Sequence, residues 1–298
     1  MRFSTPITDF AKTFRLGCAD KLLALGSCFA QVVGQRLCDR GVDIVLNPMG
    51  VLYNPKSICT LLHLAARHAE GDGQVENKLG EMVFRANDGR YYSWFASSVI
   101  SGESMEECHE QMMCAMHRLS HRLKEQTALL LTFGTDHYYE YSDTEGHSYP
   151  VANCHKMPQR CFEEKVMSVD EIAADLDRVY AALQRLTPNL RLIVSVSPYR
   201  YLKYGLHGSQ LSKARLLLAT ERLQRTRGEV YYFPAYEIMN DELRDYRFYA
   251  ADMVHPSDVA AEYIWQQFCA NYINSDLLDL FKERERELKA AAHRPHNK

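Results

Sequence analysis

The sequence predicts an α/β protein, a three-layer α/β/α sandwich around a doubly wound, mostly parallel five-stranded sheet with β-hairpin insertions. Three observations predict it. Short apolar runs of strand length recur along the chain, and longer segments with helical spacing alternate with them. That alternation builds a parallel sheet covered by helices on both faces. Right-handed crossovers then restrict the topology to the doubly wound class.

The elements follow in order. Lys21-Leu-Leu-Ala-Leu25 is an apolar run closed by Gly26. A helix over about 27–40 follows, with Phe29, Val32, Val33 and Leu37 at helical intervals and Gly41 as its C-terminal stop. Val42-Asp-Ile-Val-Leu46 is the second strand and Asn47-Pro-Met-Gly50 the turn after it. Asn54-Pro55 opens another helix. Asn87-Asp-Gly89 between Glu81–Arg85 and Arg90–Phe95 signals a hairpin. A helix over 104–124, the strand Ala128–Phe133, a second hairpin-like insertion Tyr138–Val151 and a helix over 170–186 come next. Leu190–Ser197 and Val230–Phe233 complete the five strands, separated by a helix over 212–225. Ser257 caps a helix ending at Tyr272. No linker or repeat interrupts this series, so residues 1–298 are one domain, with a core of about 14–272 and a charged helical tail over 273–298. Alternating signs from Phe281 to Lys289 make the tail a solvated helix.

Composition excludes several function classes. Hydrophobic residues at 46% and charged residues at 24% are ordinary for a globular chain, which argues against disorder. A net charge of −3 gives no basic face for nucleic acid. No apolar stretch approaches the roughly 18 residues of a membrane span, and the first residues lack a signal-peptide pattern. Nine cysteines, an odd number without C-x-x-C pairs, fit reduced thiols in the cytoplasm.

Ligands in doubly wound folds bind beyond the carboxyl ends of the strands. Ser27 stands directly after the first strand, where a helix N-terminus offers unpaired N–H groups and partial positive charge to a developing oxyanion. Taken alone, Ser27 is accounted for as a helix N-cap. Asp252-Met-Val-His255 changes the balance. On one short turn the carboxylate accepts from one ring nitrogen while the other faces a nucleophile. By itself D-x-x-H is a surface turn as readily as a dyad. Together with Ser27 at the same rim, it makes a Ser-His-Asp arrangement.

Gly26-Ser-Cys-Phe-Ala30 resembles the signature of the GSCFA-domain family, itself similar to the SGNH/GDSL-type hydrolases. Further matches are Asn47-Pro-x-Gly-Val-Leu-Tyr-Asn-Pro55, Gly134-Thr135, Asn153-Cys-His-Lys156, Ser197-Pro198, Gln210-Leu-Ser-Lys-Ala214, Phe233–Met239, Asp241–Tyr249 and Asp252–Ser257. The resemblance covers roughly Phe14 to Tyr272. The resemblance implies Ser27 as nucleophile, His255 as base and Asp252 as its orienter. It implies an oxyanion held by the Ser27 N–H, the Gly50 N–H and an asparagine after the third strand. The superfamily's G-x-N-D falls on Gly134-Thr-Asp136-His137, so Asp136 stands where the asparagine belongs. An ionised Asp136 repels an oxyanion, and Asn153 is the replacement donor expected here. The family's S-P-V-R-H reads Ser197-Pro-Tyr-Arg-Tyr201, which removes a histidine.

Other residues receive plainer readings. One helical step turns a side chain by ~100°, so Ser27 and Cys28 do not both face the site, and Cys28 is a small core residue. Cys114, His117 and His121 share a helix face as half-buried packing residues. His155 and Lys156 line the cleft beside Asn153. Arg200 clamps a substrate carboxylate or forms an ion pair. Tyr91, Tyr92 and Trp94, with Tyr138, Tyr139 and Tyr141, pack across strands or stack on sugars.

The expected activity is hydrolysis of O-acyl esters, such as an acetylated carbohydrate or small acyl ester, through an acyl-enzyme and with no metal or other cofactor. The rivals are an acyltransferase with the same triad and a non-catalytic carbohydrate-binding module. The partner is a small-molecule or carbohydrate ester; oligomeric state and acyl group are open at this level.

Overall fold

Leu22–Gly26 (β1), Ile44–Leu46 (β2), Ala128–Phe133 (β3), Arg191–Val196 (β4) and Val230–Phe233 (β5) form one sheet in the order β5-β4-β3-β1-β2. A computed structural model describes residues 5–8, 10, 14–143 and 146–292 of the chain. Every pairing in this sheet is parallel, with Leu22 opposite Ile44, Gly26 opposite Thr132, Val196 opposite Phe133 and Ser195 opposite Phe233. This is the 2-1-3-4-5 order of flavodoxin-like sheets, and it puts all five carboxyl ends on one rim.

Strand residues alternate between two cores, as a period of two requires. Leu23, Leu25, Leu129, Leu131, Leu192 and Val194 face the first. Helices Pro55–Ala69 (α2), Gln74–Glu81 (α3), Met105–Glu125 (α4), Val169–Leu186 (α5) and Gly205–Thr226 (α6) lie on that side. Leu22, Ala24, Leu130 and Ile193 face the second, with Cys28–Asp39 (α1), Asp258–Tyr272 (α7) and Ser275–Ala292 (α8). Both faces are covered, which explains why the strands read as unbroken apolar runs. Local signals set the helix starts: Asn54 caps α2 through Ser57 N–H at 2.8 Å, and Ser168 and Glu171 form a capping box on α5.

Four elements differ from the sequence reading. Helix α3 and the strand Phe162–Val166 were not expected. α3 is short and mostly exposed, with only Val75 and Leu79 buried, so it carries little periodic signal. α6 begins at Gly205, seven residues before the expected Ser212. The tail helix is not merely solvated: Leu277 and Phe281 are buried against the second core, and Arg40 lies over the Phe281 and Trp265 rings while pairing with Glu285. Residues 1–4 and 293–298, which the readings of the leader and of the tail included, lie outside those described.

The insertions are two three-stranded antiparallel sheets, Val83–Arg85 with Tyr91–Ser93 and Ser101–Gly102, and His137–Ser142 with Ser148–Val151 and Phe162–Val166. They pack on each other. The Trp94 ring stacks on Phe84 at 3.5 Å and on Tyr141 at 4.7 Å, with the Phe162 edge at 5.7 Å. These aromatics are therefore spent on cross-sheet packing.

Candidate active site at the carboxyl rim

At the end of β1 the chain must turn sharply. Gly26 has φ +140°, and a Cβ there would stand 2.2 Å from the Thr132 carbonyl oxygen, so only glycine fits. Asn47 clamps the turn: its Oδ1 accepts from Gly26 N–H at 3.0 Å and its Nδ2 donates to Gln31 at 2.8 Å. Ser27 then takes the N-cap position of α1 in an extended conformation, yet its side chain makes no capping hydrogen bond. Its Oγ is buried and has no hydrogen-bond partner among the described residues. Leaving a buried hydroxyl unpaired costs about 1–3 kcal/mol, so helix capping does not explain this serine.

The histidine side is built by a turn between β5 and α7. Asp252 Oδ1 accepts from the N–H groups of Val254 and His255, both at 2.9 Å, and Oδ2 lies 2.5 Å from His255 Nδ1. Met253, at φ +58°, supplies the left-handed residue that closes the turn. The His255 imidazole and the two N–H groups hold the Asp252 carboxyl down at about 2. Ala250 N–H to His255 O at 2.8 Å and Ser257 N–H to Phe248 O at 2.8 Å clip the turn shut. Arg200 N–H reaches Val254 O at 3.2 Å and ties it to the loop after β4.

Ser27 and His255 line one cavity of about 250 Å³ with Cys28, Tyr53, Gly134, Ser197, Tyr199 and Tyr201. Tyr199 meets the His255 ring edge-on at 4.5 Å. Ser27 Oγ and His255 are not hydrogen-bonded to each other. Cys28 is a correction: it lines the same cavity, half-buried, with Sγ 3.7 Å from Tyr53 Oη. The 100° argument fails because Ser27, at φ −68° and ψ 177°, is not yet helical.

Several expected site residues lie elsewhere. Gly50 does not line the cavity, and its N–H is committed to Asn47 O at 2.7 Å. Its φ of +79° and the 1.8 Å that would separate a Cβ from Ser97 Oγ make it a turn glycine. The Ser27 N–H donates to Thr132 O at 3.0 Å, continuing the β1–β3 ladder. Asn153 is also off the cavity, its Oδ1 accepting from His155 N–H at 2.7 Å. His155 is buried between the insertions, with Nε2 2.9 Å from Ser93 O and Nδ1 3.1 Å from Ser98 Oγ. Burial pushes its pKa down. Lys156 is exposed and lies off this cavity. Asp136 is fully buried and turned to Arg215, 2.7 Å from Oδ2. Gly134 does line the cavity; its N–H donates to Tyr53 O at 2.7 Å.

Arg200 makes no ion pair among the described residues; its guanidinium lies over the Tyr249 ring at 4.1 Å. Cys114, His117 and His121 are exposed rather than half-buried. Among the described residues no cluster of three His, Cys, Asp or Glu is arranged to hold a metal.

Sequence reasoning missed the three tyrosines and a buried lysine. Lys213 is 2% exposed and donates to Gly134 O at 2.5 Å and Ser197 O at 2.8 Å, fastening the ends of β3 and β4 beneath the cavity. Burial, opposed by Asp136, brings its pKa down to about 7. Ser209 and Ser212, on the same face of α6, accept from Tyr201 N–H at 3.2 Å and Asp136 N–H at 3.1 Å. Polar residues at positions 209, 212 and 213 inside a helix were the available signal. A second cavity of about 250 Å³, lined by Lys56, His63, Arg67 and Arg178, is rich in cations. Lys56 and Arg178 are already paired with Asp175, and Arg67 with Asp72. Cys59, Thr60 and His63 line it too, but no hydrogen bond among the described residues joins His63 to either of the others.

A serine with a free hydroxyl and a carboxylate-supported histidine, on one cavity at the carboxyl rim of a doubly wound sheet, define a class of α/β protein. The chain belongs to the GSCFA family, whose model matches residues 21–268. Among solved structures it is similar to a carbohydrate esterase family 3 protein from Talaromyces cellulolyticus, with 11% identity and a TM-score of 0.35 over 89% of this chain and 99% of that one. No curated protein matches the chain. Among the described residues, no helix is long and apolar enough to cross a membrane.

Proposed function

We propose that this chain is a serine esterase acting on O-acyl esters from a single domain of residues 1–298 with a core of about 14–272. The observation that carries the reading is the cavity shared by Ser27 and His255, with Asp252 on the far nitrogen of the imidazole. His255 Nε2 takes the Ser27 proton as Oγ adds to the ester carbonyl. It then returns the proton to the departing alcohol, and water repeats the sequence on the acyl-enzyme. Asp252, held ionised far below neutral pH, fixes the tautomer and balances the imidazolium. About 250 Å³ is less than the roughly 300–1,000 Å³ of drug-sized sites, which suits a short acyl group such as acetyl. The tyrosine walls suit the alcohol side of a sugar ester.

The test is turnover of p-nitrophenyl acetate and labelling by a fluorophosphonate. Wild type turns over and is labelled at Ser27; Ser27→Ala does neither while melting at the same temperature. Folded wild-type protein that resists the probe and leaves the ester intact refutes the reading.

A further inference from the structure

The donors that the family resemblance implies for the oxyanion are committed elsewhere. Ser27 N–H bonds Thr132 O, Gly50 N–H bonds Asn47 O, and Asp136, in the asparagine position, is ion-paired with Arg215. Asn153 is bonded to His155 N–H and lies off the cavity. An oxyanion formed at this cavity still needs a fixed donor.

We propose that Tyr53 is that donor, its phenolic O–H bonding the carbonyl oxygen as Ser27 attacks; this rests on the esterase reading. Tyr53 lines the cavity, and among the described residues its hydroxyl has one hydrogen-bond contact, Cys28 Sγ at 3.7 Å, a weak partner that leaves the O–H available. Cys28 is the first residue of α1 and follows Ser27 directly, so the hydroxyl stands at the helix N-terminus beside the nucleophile. Its main chain is fixed: Tyr53 O accepts from Gly134 N–H at 2.7 Å and Thr135 N–H at 3.2 Å, and Asn54 begins α2 immediately after it. The other two cavity tyrosines belong to the loop after β4, and Tyr199 is packed on the base. Burial, with Cys28 and Tyr199 nearby, holds the Tyr53 phenol well above its ordinary range, so it stays a donor throughout the assay range.

The step balances without any co-reactant. A bond forms from Ser27 Oγ to the carbonyl carbon, the π pair moves to the carbonyl oxygen, and the Ser27 proton goes to His255. Tyr53 keeps its proton and only donates a hydrogen bond. On collapse the pair returns, the bond to the alcohol oxygen breaks, and that oxygen takes the proton from His255.

Tyr53→Phe removes one oxygen and preserves the ring packing. With p-nitrophenyl acetate, kcat is expected to fall about 10²–10³-fold with KM within roughly threefold, at an unchanged Tm. Inhibition by ethylboronic acid, which makes a tetrahedral adduct on Ser27, is expected to weaken in parallel. Full kcat in Tyr53→Phe, with turnover still abolished by Ser27→Ala, overturns Tyr53 and leaves the esterase standing. A fall in kcat with boronate inhibition unmoved also overturns it. Absence of Ser27-dependent turnover in wild type overturns the esterase and this proposal together.

Discussion

Lys213 offers a quantitative test of the cavity floor. Its ammonium is buried on two main-chain carbonyls without a direct ion pair, and its pKa drops from 10.5 in the unfolded chain to about 7. That gap corresponds to about 5 kcal/mol of penalty on the charged form at pH below 7. Between the two values the unfolded chain holds a proton that the folded chain does not, so raising the pH favours folding. The slope is about 1.4 kcal/mol per pH unit. The penalty is fully present below about 7 and vanishes as the pH approaches 10.5. Lys213→Met keeps the length and removes the titrating group. Urea unfolding of both proteins from pH 5 to 9.5 is therefore expected to show wild type gaining about 3 kcal/mol on the variant between pH 7 and 9.5, and nothing between 5 and 6. Taking the difference cancels the titration of other groups. A difference independent of pH refutes the buried-ammonium argument, whatever the absolute stabilities.

Other consequences are simpler to check. With Asp252 held at about 2, that carboxyl is expected to add no proton to the acid limb of kcat/KM between pH 4 and 8, and a slope of two there refutes this. Asp252→Asn is expected to lower kcat by up to about 10⁴-fold with the fold retained, and an unchanged kcat excludes Asp252 as orienter. Gly26→Ala forces a Cβ to 2.2 Å from Thr132 O at φ +140°, and chemical denaturation is expected to show a loss of at least about 2–3 kcal/mol. Trp94→Ala removes the ring joining the two insertions and is expected to cost about 3–5 kcal/mol by the same measurement, with the Ser27 cavity still reactive to the fluorophosphonate.

The central sheet was legible because burial on both faces leaves an unmistakable mark. Leu22–Gly26 and Arg191–Val196 have no polar alternation to confuse with a solvated strand. Ser27 and the Asp252–His255 turn were legible because each sits at an element boundary, where local chemistry decides the conformation. What stayed hidden depends on contacts between distant residues. The Gly50 N–H looks available in one dimension, and only the positive φ values of Asn47 and Gly50 show it folded back on Asn47 O. Asn153 and His155 carry polar side chains beside a cleft motif, yet the stacking of Phe84, Trp94 and Tyr141 draws that segment against the first core and away from the cavity. Lys213 alone reads as a surface lysine of a helix, and only Ser209 and Ser212 on the same buried face of α6 mark it otherwise.

The two halves of the site differ in rigidity, and that difference bears on how they meet. Ser27 is 2% exposed on a glycine turn clamped by Asn47, whereas the His255 and Asp252 side chains are 48% and 47% exposed. Two main-chain clips and the Arg200 N–H hold the Asp252–His255 turn to the body, and the ring is held by Asp252 at Nδ1 and meets Tyr199 edge-on. Turning the His255 ring costs its bond to Asp252, whereas shifting the Ser27 main chain would break the β1–β3 ladder at Thr132. Nucleophile–base hydrogen bonds often tighten only once substrate is bound. An acyl group that fills the cavity also excludes water from the imidazole, which strengthens its bond to a hydroxyl that has no other partner. Engagement of the base is thus expected to follow binding, with Tyr199 as the surface against which the ring turns.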